Sequence, residues 1–167
     1  MVKIPVIAFI GHSGSGKTTL LERVVGQLVS SGIRTGVVKH TRHIGVPSDL
    51  PGTDTRRLWD VGASQVVLAS PDRLTHWQRC EREIDLDVIL SRITDVDLII
   101  LEGFKTTDAP KIEVLREAHN PQPLRDIQQR IAFVTDAGGI KTTLPCFDLD
   151  DVNAVVEFII DSTRKNV

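Results

Sequence analysis

Tyrosine is absent from the 167 residues, and two tryptophans and five phenylalanines are the only aromatic side chains. That leaves few of the stacking platforms on which single-stranded nucleic acid is held. Charge of one sign is missing too: twenty basic against twenty-two acidic side chains give a net charge of −2, so no global field favours nucleic acid or an anionic membrane surface. No segment reaches the roughly 18 to 20 consecutive apolar residues that cross a bilayer. The short apolar run near the start is interrupted by Pro5 and leads into glycines where a cleavage site would stand. The two cysteines, Cys80 and Cys146, form neither a CxxC pair nor a disulfide framework, which fits packing roles in a reducing compartment. These gaps describe a cytoplasmic protein without nucleic-acid or membrane partners.

What is present is ordinary globular material, with 41% hydrophobic and 25% charged residues, in a length at which one domain over 1–167 is the default. Residues 4–10 form a continuous apolar run, the pattern of a strand buried on both faces of a parallel sheet. Residues 18–31 carry Leu20, Leu21, Val24, Val25 and Leu28 at helical spacing and stop before Gly32. A second strand over 33–39 is followed by an irregular stretch, 40–52, rich in glycine, proline and aspartate. The pattern then predicts a short helix over 54–61 and a strand pair, 66–69 and 74–79, about the turn Ser70-Pro71-Asp72. A helix over 86–93 and a very apolar strand over 96–101 come next, with further strands at 112–115 and 131–134. A last helix, opened near Asp150 or Asp151, shows Val152, Val155, Val156, Ile159 and Ile160 on one stripe. Strands alternating with helices imply an α/β fold in three layers, a mainly parallel sheet with helices on both faces and ligands at the carboxyl ends of the strands.

The string Gly11-His12-Ser13-Gly14-Ser15-Gly16-Lys17-Thr18 matches G-x-x-x-x-G-K-[ST] at every fixed position and lies between strand and helix, the context a phosphate loop requires. Triphosphate oxygens need several convergent donors, and glycines let consecutive backbone N–H groups curl inward at a helix N-terminus. Lys17 is then the group for the β- and γ-phosphates and the Thr18 hydroxyl a ligand for Mg²⁺. Such a loop works with a carboxylate at the end of a neighbouring strand, since Mg²⁺ takes oxygen ligands. Glu102, directly after the run Asp97-Leu98-Ile99-Ile100-Leu101 and before Gly103, is that candidate. Asp97 stands roughly 15 to 17 Å away along an extended strand and is too far. Asp54 is a second acidic candidate, although its place at a helix start suits a cap.

Lys39-His40-Thr41-Arg42-His43 puts cations and imidazoles just past a strand end. His40 and His43 lack partner ligands at zinc spacing, which leaves an anion-binding loop or a solvated one. Lys105 and Lys111 are further basic groups, read either as part of a site for a second phosphorylated ligand or as a solvated rim.

Several of these strings together resemble the molybdopterin-guanine dinucleotide biosynthesis protein B family (MobB) of P-loop GTP-binding proteins. They are Val38-Lys39-His40-Thr41 with His43, Pro51-Gly52 with Asp54, Gly62-Ala63, Asp97-Leu98-Ile99, Glu102-Gly103-Phe104-Lys105 and the approach from Asp148 to Asp151, in that order along essentially the whole chain. The resemblance implies a GTP-binding, weakly GTP-hydrolysing accessory protein, homodimeric, for attaching GMP to molybdopterin. Its partner is then the molybdenum cofactor guanylyltransferase, with molybdopterin itself as a further ligand. By position, residues 11–18 with Thr19 hold the nucleotide, Thr18, Asp54 and Glu102 approach Mg²⁺, Lys17 and Asp54 serve catalysis, and Lys39 and His40 lie near the active site. Thr53 stands where the family often has Lys, and Arg42 interrupts what is often a His-His pair.

No N-K-x-D string is present to read guanine, and Thr135-Asp136 at a strand end is the substitute candidate. Two other functions share the same loop. A small-molecule kinase needs an arginine-bearing lid, for which Arg125 and Arg130 are candidates, and a non-hydrolysing adaptor needs only the binding site.

Overall fold

The computed structural model describes residues 4–46 and 49–164. They form twelve elements: β1 (Val6–Ile10), α1 (Lys17–Ser30), β2 (Thr35–Lys39), α2 (Asp54–Asp60), β3 (Gln65–Ala69), β4 (Leu74–Gln78), α3 (Leu86–Ser91), β5 (Leu98–Glu102), β6 (Lys111–Leu115), β7 (Arg130–Thr135), β8 (Cys146–Phe147) and α4 (Val152–Arg164). Among the described residues there are two compact units. One takes the chain up to Thr41 and again from Ile93, and the other spans Arg42–Arg92.

The first unit is a six-stranded sheet in the order β2-β5-β1-β6-β7-β8, with every pairing parallel. Strand β5, Leu-Ile-Ile-Leu-Glu, lies between β2 and β1 and is buried at all five positions, as expected of a strand with neighbours on both edges and cover on both faces. Side chains of Ile7, Phe9, Leu98, Ile100, Ile112, Val114, Ala132 and Val134 meet Leu20, Leu21, Val24 and Leu28 of α1 and Val152, Val155, Val156 and Ile159 of α4 in one core. The spacing along α4, i, i+3, i+4 and i+7, is what turns one stripe of a 3.6-residue helix to the sheet. Each such side chain contributes about 1.5–3 kcal/mol of apolar burial. The Asp151 carboxylate accepts from the Ala154 N–H at 3.0 Å and caps α4, one of the two positions that the sequence offered.

Two alternate residues of β6 are charged and still buried. Lys111 and Glu113 are each 0% exposed. Lys111 donates to the carbonyls of Thr107, Ala109 and Gln128, and Glu113 accepts from the Leu124 N–H at 2.6 Å and pairs with Arg130 at 2.7 Å. Two connections are pinned to the sheet by these side chains. Lys111 is therefore not a rim cation: it opens β6 and is saturated by carbonyl oxygens. Arg130, fixed to a buried carboxylate, is no lid residue.

The second unit holds α2, the antiparallel hairpin β3–β4 and α3. Trp59 and Trp77 meet edge to face at 6.4 Å, with the Arg79 guanidinium over the Trp59 ring at 4.2 Å. The cap of α2 is Thr53, whose side chain accepts from the Arg56 N–H. Asp54 is the first helical residue instead of the cap. α3 stops at Ser91, two residues before the apolar pattern does. Both cysteines are exposed, against the packing role that their isolation implied. The two-residue strand β8 at Cys146 carries no period long enough to be read.

Candidate functional site

The phosphate-loop string leaves the carboxyl end of β1 and returns at the N-terminus of α1. Gly11 has φ 149°, and a Cβ there would sit 2.3 Å from the Val114 carbonyl oxygen, so no side chain fits in the cradle. Gly16, with φ 81°, is the residue before α1 and needs no side-chain cap. The Lys17 ammonium lies over the loop, donating to the carbonyl of His12 at 2.6 Å and more loosely to Gly11 and to Ser15 Oγ at 3.4 Å. Burial pushes the Lys17 pKa down, with Glu102 acting against that and Lys105 and Lys39 adding to it. Ser15 is buried, while Ser13, Thr18 and Thr19 are exposed.

Register explains how Glu102 and Lys39 reach this loop. Lys39, Glu102 and Phe9 are Cα partners across β2, β5 and β1, so the end of each strand stands at one height. Thr18 Oγ1 donates to Glu102 Oε1 at 2.8 Å. The Lys39 ammonium lies 3.2 Å from the same carboxylate oxygen and 3.2 Å from Thr18 Oγ1. A hydroxyl and a carboxylate oxygen in contact are the donor set that Mg²⁺ takes when it keeps most of its water, and the residues fit it. Glu102 is 8% exposed, a burial that its two partners make affordable.

The remaining candidates divide. The His40 backbone N–H donates to the Glu102 backbone carbonyl at 2.9 Å, and the His40 ring packs on Phe104 at 5.3 Å, which places the residue beside the end of β5. Among the described residues no group of three His, Cys, Asp or Glu side chains could hold a metal. Asp54 belongs to the second unit, where it pairs with Arg57 at 3.6 Å. Asp97 is held at the opposite end of β5 by Arg34 at 2.7 Å, and that guanidinium lowers its pKa to about 2.

Sequence reasoning missed the connection after β6. The His119 imidazole stands where a Cβ on Gly14 would come within 2.8 Å, and the Arg116 guanidinium lies 3.6 Å from the corresponding point on Gly16. His12 Nε2 hydrogen-bonds to the Gln122 carbonyl at 3.1 Å. No motif marks these residues, because they reach the loop through the pairing of β1 with β6, strands far apart in the chain.

A parallel sheet with this loop between β1 and α1 defines a P-loop NTPase-like α/β protein. Residues 6–136 match the family described as molybdopterin guanine dinucleotide synthesis protein B, MobB, and the chain belongs to that family. It is 35% identical over 168 residues to the molybdopterin-guanine dinucleotide biosynthesis adapter protein of Escherichia coli (strain K12), covering 97% of this chain and 95% of that protein. The Haemophilus influenzae adapter protein of the same description is 32% identical, over 94% of this chain and 88% of its own. A crystal structure of molybdopterin-guanine biosynthesis protein B superimposes with a TM-score of 0.74 at 31% identity, covering 94% of this chain and 99% of the other. The MobB homologue from Bacillus stearothermophilus, at 24% identity and a TM-score of 0.75 over 96% of this chain and 98% of its own, shares the fold.

Proposed function

We propose that the chain is a nucleotide-dependent adapter in molybdopterin-guanine dinucleotide biosynthesis, which holds Mg²⁺ and GTP at residues 11–18 with Thr19 and hydrolyses the triphosphate slowly. The observation that carries this reading is the 2.8 Å contact between Thr18 Oγ1 and Glu102 Oε1 beside the Lys17 ammonium. In that reading Lys17 exchanges its carbonyl partners for β- and γ-phosphate oxygens, while the backbone N–H groups of the loop donate to the same chain of phosphates. Thr18 and Glu102 hold Mg²⁺, which when bound neutralises charge on the β- and γ-oxygens. Lys39 and His40 border the γ-phosphate side. Asp54 is kept, on the family resemblance, as a further metal ligand or the group that orients water.

The partner is the guanylyltransferase that joins GMP to molybdopterin, with molybdopterin as a second ligand. The adapter descriptions of the relatives support a partner in that pathway. A cytoplasmic setting agrees with the lack, among the described residues, of a helix long and apolar enough to cross a membrane. A homodimer is supported by the hairpin β3–β4, which exposes Val67, Leu68 and Leu74 by 55%, 46% and 71%, since two strands alone are marginally stable in water. The kinase alternative loses Arg130 to Glu113.

Calorimetric titration with GTP and ATP, each with and without Mg²⁺, tests the reading against Lys17→Ala. Mg²⁺-dependent preference for GTP, abolished in the variant, is expected. Equal or tighter ATP binding would transfer the case to a kinase, and binding with no phosphate release beside the partner would leave an adapter without turnover.

A further inference from the structure

One exposed cation near the phosphate loop has no bonding task in the resting structure. Lys105 follows Glu102 by three residues, just past the carboxyl end of β5, and β5 lies between β2 and β1. Among the described residues Lys105 makes no hydrogen bond and no ion pair, and it is exposed.

The turn that carries it is fixed at both ends. The Gly103 N–H donates to the Phe9 carbonyl at 3.0 Å, and Gly103, with φ 102°, places a Cβ position 3.4 Å from the His40 carbonyl oxygen. The Phe104 ring packs on His40 at 5.3 Å. Farther on, the buried Lys111 ammonium holds the carbonyls of Thr107 and Ala109, and the Pro110 carbonyl accepts from the Ala8 N–H at 2.8 Å. Between these anchors the backbone of Lys105 is set beside Glu102, while its flexible stem carries a point charge.

The surroundings are cationic. Burial lowers the Lys17 pKa, Glu102 opposes this, and the Lys105 and Lys39 charges add to the lowering. Three ammonium groups thus share one field with a single carboxylate, an excess of positive charge that a polyanion relieves. Lys17 and Lys39 are bonded within the site, to the His12 carbonyl at 2.6 Å and to Glu102 at 3.2 Å. Lys105 has no such bond to give up. With Mg²⁺ at Thr18 and Glu102 bridging the β- and γ-phosphates, the turn after β5 stands at the γ end of the chain of phosphates.

We infer that Lys105 is a catalytic residue for triphosphate hydrolysis, its ammonium meeting the γ-phosphate; the inference rests on the nucleotide-binding reading above. In that step a water oxygen bonds to the γ-phosphorus while the bond from this phosphorus to the β–γ bridging oxygen breaks. The electron pair of the broken bond stays on the β-phosphate of the departing GDP, inorganic phosphate is the other product, and the water's proton passes to solvent. Charge in the transition state is spread over the equatorial γ-oxygens, and an ammonium that closes on them accelerates the step to the extent that it binds this state better than the ground state.

Lys105→Met tests the assignment, with Lys105→Arg as the charge-keeping variant and Lys141→Met, an exposed lysine elsewhere, as the control for lost charge. Single-turnover phosphate release from GTP is expected to slow by about tenfold or more in Lys105→Met. In calorimetry with Mg²⁺, GDP with aluminium fluoride, which mimics the transferring phosphoryl group, should lose affinity by a similar factor, while GDP alone, which has no γ-phosphate, changes by less than about twofold. Lys105→Arg should keep most of both properties and Lys141→Met all of them. Unchanged phosphate release and unchanged GDP–aluminium fluoride binding in Lys105→Met overturn the assignment, as does a loss of GDP in step with GTP, which marks a general rim cation. Nucleotide binding by the unaltered protein without any phosphate release also overturns it and leaves the phosphate loop standing. If the unaltered protein binds no nucleotide, the phosphate-loop reading itself fails and takes this one with it.

Discussion

Thr18 and Glu102, 84 positions apart in the chain, share a 2.8 Å hydrogen bond at the mouth of the phosphate loop. One residue comes from the first turn of a helix and the other from the end of a buried parallel strand. Their contact puts a hydroxyl and a carboxylate at one point, and the chemistry there can be tested directly.

Glu102→Gln keeps an acceptor for Thr18 and removes the charge. We expect the fold to persist and the affinity gained by adding Mg²⁺ to a GTP titration to fall by about tenfold or more, near 1.4 kcal/mol. Calorimetry with and without Mg²⁺ reads this, and an unchanged metal dependence would remove Glu102 from the site.

Lys39 places its ammonium 3.2 Å from the same carboxylate oxygen, in the space a cation needs. The side chain is 55% exposed, so solvent discounts the pair to at most about 1 kcal/mol. Lys39→Met should tighten Mn²⁺ binding to the nucleotide-free protein by up to about fivefold, measured by electron paramagnetic resonance. Weaker binding would show that Lys39 supports the metal position instead of competing for it.

At Gly11 a methyl group meets the Val114 carbonyl oxygen at 2.3 Å with φ at 149°. Gly11→Ala is expected to cost at least about 3 kcal/mol, combining backbone strain with overpacking. Urea denaturation measures it, and a loss under about 1 kcal/mol would mean that the loop shifts freely.

The buried pair of Glu113 and Arg130 gives an asymmetric mutational result. Arg130→Met strands a carboxylate that is 0% exposed and should cost about 3–5 kcal/mol, while Glu113→Leu combined with Arg130→Met should recover most of it. Chemical denaturation of the single and double variants decides the matter, and equal losses would indicate simple packing.

Acid response separates two carboxylates. Burial pushes Glu113 above the usual carboxylate range, against the pull of the Leu124 N–H and Arg130. With the folded pKa above the unfolded one, its contribution is present below the unfolded value and is lost as pH rises through the folded pKa. Asp97 is the opposite case: Arg34 lowers it to about 2, so its contribution is present above the unfolded value near 3.9 and is lost as pH falls through about 2. Denaturation midpoints between pH 2 and pH 6 should lose the acid-limb slope in Asp97→Asn and the opposing slope in Glu113→Gln.

Much of this was readable before any tertiary information. Phosphate cradling depends on a local backbone curl, so eight consecutive residues carry its signature, and a strand buried on both faces announces itself as an unbroken apolar run at 98–101. Glu102 was legible because a carboxylate ending such a run has few structural reasons to be there. Lys111 misled because a cation next to a strand looks solvated in sequence; only the three carbonyls that close around it show otherwise. Asp54 misled as a cap because Thr53 and Asp54 are both capping residue types in adjacent positions.

The sequence by itself determined the loop, its lysine and threonine, the alternation of strands and helices, and the family. Which residues share the loop's surroundings was decided by the order β2-β5-β1-β6-β7-β8. Parallel register set Lys39 beside Glu102, and the β6 and β7 ends brought Arg116 to Asp136. The physical reason is that hydrogen-bonded pairing between distant strands fixes side-chain neighbours at one height across the sheet, and no local pattern of residues records which strand lies next to which.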